Sequence, residues 1–318
     1  MGALMKWSYS ASRSFKQCQR QWYFKNIVAS GTAKTDPRRR QAYLLGKLQS
    51  VSAWRGKIVD DVISKTIVPC LNRKAKITLK MAKSRARDLF DRQLAFARNH
   101  SAMDVTLQPS KHGDSFALLY AVQYDGDARE DEIETAWQEI EAALGNLFGL
   151  GEIKDLLKSS DYVIAQRALT FPVMDGITTL AYPDVIAFRR QELPAILDWK
   201  VHVFGQNDAW LQLAIYAIAL SRCGPHKDFP EGFKIEPSDV KLYEAQLLTN
   251  AIREHFLNEE QIEEAEEYIT ASAYEIACLT DGGDYADLSV EDFRPALHAE
   301  ACQRCAFRAI CWEGQNVH

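Results

Sequence analysis

Asp184, Asp198 and Lys200 are the residues of this chain whose types and spacing most directly specify chemistry. They lie in two short apolar runs, Tyr182-Pro183-Asp184-Val185-Ile186 and Ile196-Leu197-Asp198-Trp199-Lys200, separated by Arg189-Arg190-Gln191-Glu192-Leu193-Pro194. Apolar runs of strand length around a polar, proline-containing stretch predict a hairpin, which brings Asp184 close to Asp198. Alternation along a strand sends Asp198 and Lys200 to one face and Trp199 to the other, where it can pack against a helix. Two carboxylates suit a hard cation such as Mg²⁺ or Mn²⁺, which polarises a phosphoryl oxygen and lowers the pKa of a bound water. A neighbouring lysine adds a compact positive charge for a scissile phosphate or an attacking water.

Alone, an Asp-x-Lys strand is more often a solvated face or a weak surface ion pair. Order along the chain gives it weight. With Pro183-Asp184 ahead of Asp198-Trp199-Lys200, the pattern resembles the PD-(D/E)xK nuclease superfamily. Gln212-Leu213-Ala214-Ile215-Tyr216 matches the QxxxY motif that follows the DxK strand in RecB-type nucleases, and positions i and i+4 of a helix share a face. Upstream, Gly56-Lys57-Ile58-Val59-Asp60 is similar to the GxxxH motif of the same group, with Asp60 where histidine is usual. Aspartate is an acceptable ligand for a hard cation, so the departure is compatible with activity and can shift the metal preference.

The resemblance implies an α/β, restriction-endonuclease-like core, a central mixed sheet flanked by helices. It implies Asp60, Asp184, Asp198 and the backbone carbonyl of Trp199 as metal ligands. Lys200 would orient or activate water and stabilise developing charge, and Gln212 and Tyr216 would position DNA or the lysine.

Four of the seven cysteines form Cys18…Cys302-x₂-Cys305-x₅-Cys311. Closely spaced thiolates suit a metal centre, and by themselves they serve a Cys₄ zinc site or an iron–sulfur cluster. The arrangement is similar to the iron–sulfur staple of AddB-type and CRISPR-associated RecB-like nucleases. Residues Tyr9 to Phe24 resemble the N-terminal segment of that group, with Gln19 where proline often follows the cysteine. The resemblance, rather than the spacing, favours a 4Fe–4S cluster over zinc, joining 8–28 and 295–318 in a structural cap. The plainer alternative for Cys18 is a buried helix residue, since Phe15, Cys18 and Trp22 repeat at i, i+3 and i+7. Cys70, Cys223 and Cys278 fit no spacing and are expected to be ordinary buried thiols.

The 318 residues carry a net charge of −5, distributed as +17 over residues 1–100 and −22 over 101–318. Arg38-Arg39-Arg40 and the series from Arg73 to Arg87 are the densest basic portions. Arg38, Arg39, Arg40, Lys80, Lys83 and Arg87 are the candidate nucleic-acid contacts, while about half of the basic residues are expected to be solvated helix face. The carboxylates of Glu259 to Glu267 should coat an exposed helix.

No apolar run reaches a membrane span, no secretory pattern opens the sequence, and Lys6 stands where myristoylation needs Ser or Thr. Cysteine usage fits a reducing cytoplasm. No GxxxxGK[ST] loop occurs, so a helicase partner must open long duplexes or the DNA must already be single-stranded. The expectation is one nuclease domain over 1–318, hydrolysing DNA as an exonuclease or end-processing enzyme in repair or antiviral defence. The rivals are a catalytically silent DNA-binding module and a scaffold subunit of a defence or repair complex.

The patterning predicts a helix over 8–28 capped by Ser10 or Ser12, a basic loop over 31–40 and a helix over 42–68. A mostly helical insertion over 74–158 follows, interrupted near Pro109 to Gly113. Strands are expected near 161–172, 177–188 and 194–201, then a helix over 206–222, a strand near 239–248 and a helix from 251 to about 279.

Overall fold

The structure, a computed structural model, describes residues 5–30, 35–190, 192–201 and 209–312. Strand β1 (Met5–Trp7) leads into helices α1 (Tyr9–Gln17) and α2 (Gln19–Tyr23), and α2 continues into a π-helical turn at Phe24–Val28. The single helix expected over 8–28 breaks at Cys18, which is extended and whose thiol accepts the Gln21 N–H as the cap of α2. Ser8, not Ser10 or Ser12, caps α1: its hydroxyl accepts the Ala11 N–H, while Ser12 is buried beside the Tyr268 hydroxyl.

Residues 37–40, expected in a loop, begin α3 (Pro37–Leu45), and residues 31–34 lie outside the described residues. Asp36 accepts the Arg38 and Arg39 N–H groups, and Pro37 sits at the start of the helix, where a missing N–H does no harm. After β2 (Leu48–Gln49), Ser50 caps α4 (Val51–Val62), which continues through a π-helical turn at Ile63–Ile67 into α5 (Val68–Asn72). Helix α6 (Leu79–Asn99) precedes a loop, β3 (Leu118–Leu119), α7 (Tyr120–Asp125), α8 (Glu130–Gly149) and α9 (Gly151–Ser159). Helices α4, α6 and α8 pack around fully buried Trp54, whose ring stacks on Phe90 at 4.6 Å and whose N–H donates to Gln93 at 2.7 Å.

The strands are β4 (Tyr162–Ala165), β5 (Leu169–Met174), β6 (Ile177–Ala181), β7 (Val185–Phe188) and β8 (Ala195–Lys200). Helix α10 (Ala209–Arg222) carries the chain to β9 (Lys241–Gln246) and β10 (Ala251–His255). The five-stranded sheet has the order β10-β9-β8-β7-β4 and is antiparallel except for β8 and β9, whose parallel pairing requires the α10 crossover. A three-stranded sheet has the order β1-β6-β5, and β2 pairs with β3.

Residues 251–255, expected to start a helix, are instead the edge strand β10. Asn250 turns the chain with φ +54°, and α11 (Glu259–Thr280) begins only where Asn258 and Gln261 form a capping box. The Glu259 to Glu267 carboxylates are largely exposed, as a solvent-coating face requires.

Alternation divides the core between the two faces of the five-stranded sheet. Ile164, Ile186, Ile196 and Leu242 pack toward α1, α10 and α11, while Val163, Val185, Leu197 and Trp199 pack toward α4, α6 and α8. The result is an α/β fold of mixed sheets flanked by helices, consistent with a restriction-endonuclease-like core. No helix among the described residues is long and apolar enough to cross a membrane.

The C-terminal part, with α12 (Ala299–Gln303) and α13 (Arg308–Cys311), folds back on α2. Tyr23 stacks on Phe293 at 4.6 Å, Phe24 on Phe307 at 5.5 Å, and Arg20 donates to the Phe293 carbonyl at 3.0 Å.

Candidate active site

The site forms where the chain leaves one sheet for another. The strands expected over 161–172 and 177–188 each divide in two, because β4 and β7 pair in the large sheet while β5 and β6 pair in the small one. The breaks, at Gln166 and at Tyr182-Pro183-Asp184, face each other: Gln166, held at φ +52°, donates its backbone N–H to the Asp184 carbonyl at 3.1 Å. A left-handed conformation at a residue other than glycine is uncommon, and it aims the Gln166 side chain into the site.

Four elements then converge. The Gln166 amide Nε2 donates to Asp60 Oδ1 on α4 at 2.9 Å and to Asp184 Oδ1 at 3.0 Å. Asp184 Oδ2 accepts the backbone N–H of Trp199 at 2.8 Å, fixing the carboxylate against β8. On β8, Lys200 Nζ lies 2.5 Å from Asp198 Oδ2 and donates to Gln212 Oε1 at 3.0 Å. Gln212 donates to the Tyr216 hydroxyl at 2.6 Å, one turn along α10, and reaches Asp198 Oδ1 at 3.4 Å. Trp199 points to the opposite face and is buried, as alternation requires. Helix α4 is braced against the end of β8 by buried Arg55, which ion-pairs with Glu139 and donates to the Val201 carbonyl.

Charge in this pocket is under-compensated. Burial, then Asp198, then Asp60 hold the Asp184 carboxyl well above the usual aspartate range. Burial also raises Asp60, aided by neighbouring Asp61 and opposed by the Gln166 amide. The Tyr216 phenol is pushed upward by burial and by Asp198 and Asp184, so it remains neutral while it accepts from Gln212. Among the described residues, no group of three or more His, Cys, Asp or Glu side chains is arranged to hold a metal ion. Around the aspartates, the Gln166 amide and the Lys200 ammonium take up carboxylate oxygens.

Gly56, one turn before Asp60, borders open space: a Cβ there meets no atom within 4 Å, so packing does not explain the glycine. Cys18, Cys302, Cys305 and Cys311 line one cavity of about 320 Å³ between α1, α2 and the C-terminal part. Burial pushes the Cys305 thiol up to about 12, and the other three cysteines each add to the shift. Buried Arg20, beside the Cys311 thiol, has no hydrogen-bond partner for its Nη1 among the described residues. Cys70 and Cys223 are half-buried; Cys278, expected to be buried, is exposed, because its position on α11 turns away from the core.

Several candidate nucleic-acid contacts are engaged within the protein. Lys83 pairs with Glu141 at 3.3 Å and Arg87 with Asp91 at 2.9 Å, both on α6, in the layer behind the sheet face opposite Lys200. Arg39 donates to the Val28 carbonyl and Ser30, and Arg40 to the Val105 and Leu107 carbonyls. Arg38 and Lys80 are exposed.

Sequence reasoning missed Gln166, a lone polar residue whose partner Asp60 lies 106 positions away. It also missed Glu244, 0 % exposed and in register with Asp198 on the neighbouring strand, whose carboxylate is held by Gln246 and by His255 Nε2 at 3.2 Å. Its partner His255 lies on β10, where the sequence patterning predicts the start of a helix.

No curated protein matches the chain at a significant level. The family model described as the PD-(D/E)XK nuclease superfamily matches residues 6–312, nearly the whole sequence and every residue of the network above. The chain therefore belongs to the PD-(D/E)XK nuclease superfamily.

Proposed function

We propose that this protein is a divalent-metal-dependent deoxyribonuclease acting at DNA ends. The observation that carries the reading is the convergence of Asp60, Asp184, Asp198 and Lys200 from α4, the β6–β7 turn and β8 in two hydrogen-bonded groups that meet at successive residues of β8. Three carboxylates, one of them strongly disfavoured as an anion by burial and then by the other two, suit a hard cation such as Mg²⁺ or Mn²⁺. Asp60, Asp184, Asp198 and the Trp199 carbonyl would hold it. When bound, the cation supplies polarisation of a phosphoryl oxygen and a water of lowered pKa.

The chain's own residues do the rest. Gln166 spaces Asp60 from Asp184, and the Trp199 N–H fixes the second oxygen of Asp184. Lys200, held between Asp198 and Gln212, presents its ammonium to the developing charge on the phosphate. Gln212 and Tyr216, neutral and coupled at i, i+4, keep Lys200 in place as substrate enters.

The cysteine cavity fits a structural 4Fe–4S cluster ligated by Cys18, Cys302, Cys305 and Cys311. All four thiols line it, and Arg20 Nη1, without a hydrogen-bond partner among the described residues, suits a net anionic centre. A Cys₄ zinc site is the lesser alternative.

End-labelled single- and double-stranded DNA incubated with Mg²⁺, Mn²⁺ or EDTA tests the reading against Asp198→Ala. Metal-dependent products absent from the variant support it. DNA bound without products in any metal favours a silent binding module, the reading to which the Gln166 and Lys200 contacts on the carboxylates would then belong.

A further inference from the structure

A cleft of about 530 Å³ runs from the exposed side of α1 and α2 to Gln212 and Tyr216, bordered on its far side by the end of β6 and by Tyr182. Its border combines cations, neutral polar groups and an aromatic ring. Arg13 and Lys25 are exposed on the helical side, with Gln17 and Gln21 between them, and no Asp or Glu lines the cleft among the described residues. Tyr182 is 45 % exposed although its neighbours Ala181 and Pro183 are buried, and it immediately precedes Pro183-Asp184. Its ring therefore presents a substantial face to the cleft.

We propose that this cleft is the track for a single strand of DNA, with Arg13 and Lys25 on its phosphates and Tyr182 stacked on an unpaired base beside Asp184. The inference rests on the nuclease reading for its end point and names the surface that feeds it.

Three considerations support a single strand. A positively charged groove interleaved with an aromatic platform is how sequence-tolerant single-strand binding is built, since every base offers a π-face. Inside a duplex those faces are covered by the stack, so Tyr182 would meet none of them. Neither Arg13 nor Lys25 has a carboxylate partner among the described residues; burial first, and then the nearby Lys47, lowers the pKa of the Lys25 ammonium, as burial and then Lys57 lower that of Lys47. A phosphate backbone would supply the missing counter-charge. By contrast, Lys83, Arg85 and Arg87 of α6 already pair with Glu141, Asp114 and Asp91.

The test is fluorescence anisotropy of a labelled oligothymidylate and of a duplex of the same length, in EDTA to prevent cleavage, over a salt series. Wild type should bind the single strand more tightly. Tyr182→Ala should weaken that binding by about 10- to 100-fold, and Tyr182→Phe should restore it. Arg13→Ala with Lys25→Ala should reduce the slope of log affinity against log salt by about 1.4, at roughly 0.7 per lost single-strand phosphate contact. Lys158→Ala, on remote α9, should leave both unchanged. Thermal melts report whether each variant is folded. Folded Tyr182→Ala and Arg13→Ala/Lys25→Ala proteins that bind like wild type would overturn the track. So would tighter duplex binding, or a salt slope lost only on replacing Lys80, Lys83 and Arg87. Failure of the nuclease reading is separable: it leaves this binding pattern intact and yields no products with Mg²⁺ or Mn²⁺.

Discussion

The nuclease cleft and the cysteine cavity share a wall, since Gln17 and Gln21 border both, yet they are assembled by opposite means. At the aspartate site where the cleft ends, the side chains are tied to one another: Gln166 to two aspartates, Lys200 to Asp198 and Gln212, Gln212 to Tyr216. In the cavity two of the thiols accept local backbone N–H groups, Cys18 from Gln21 and Cys305 from Phe307, each at 3.4 Å, and Cys311 lies against Arg20. Its walls are held by aromatic packing of Trp22, Tyr23 and Phe24 on Phe293 and Phe307. Hard, charged ligands must be spaced by hydrogen bonds because they repel one another, whereas soft thiols can be delivered by apolar packing alone.

The contrast can be broken at its strongest point first. Asp198→Ala and Lys200→Ala should each reduce metal-dependent cleavage by about 10²–10³-fold or more while melting within a few degrees of wild type; retained turnover in both would remove the cleft from catalysis. Cys305→Ser should do the reverse. The purified protein should lose brown absorbance near roughly 400 nm and several degrees of Tm, while keeping cleavage below its melting point. A colourless wild type with stoichiometric zinc would reassign the cavity.

Gln166→Ala probes the spacing itself. Its amide lowers the Asp60 pKa, so its loss should raise that pKa, move the pH midpoint of cleavage upward and slow turnover by about tenfold. A pH–rate profile superimposable on wild type would contradict this.

Asp184 gives a signed stability prediction. Its folded pKa is raised, so its contribution is fully present below the ordinary aspartate range and is lost as pH rises through the folded value. Asp184→Asn should therefore raise Tm in EDTA at pH 8, with the gain fading as pH falls toward the ordinary aspartate value; a gain that grows on acidification would reverse the sign. Asn258→Ala, which removes the cap of α11 away from both ligand sets, sets the baseline: about 1 kcal/mol of stability and unchanged cleavage.

Much of the core was legible because it is written in short-range alternation. Ile196, Asp198 and Lys200 against Leu197 and Trp199 can be assigned to faces from the sequence alone, and Gln212 and Tyr216 to one helical face. What was hidden depends on backbone conformations at single residues and on distant partners. Gln166 adopts positive φ without being glycine or asparagine, so the break between β4 and β5 carried no mark, while Asn250 is a turn residue set inside a run that patterning predicts to pass from strand directly into helix. Arg55 reads as one more cation of a basic region until Glu139 and the Val201 carbonyl, 84 and 146 positions away, claim it. The charge asymmetry of the sequence is real, but much of it is spent inside the helical layer on pairs such as Lys83–Glu141 and Arg85–Asp114.

The contact between Arg20 and the Phe293 carbonyl spans 273 positions, and Tyr23 reaches the Leu288 carbonyl across 265. During translation α1 and α2 leave the ribosome early, yet the surface against which Trp22, Tyr23 and Phe24 pack emerges only after the whole sheet has been made. Until then those rings are open to chaperones, and the helical wall shared by the two cavities has no backing. The order of synthesis thus leaves the wall between the two cavities unfinished until residues 288–307 have emerged.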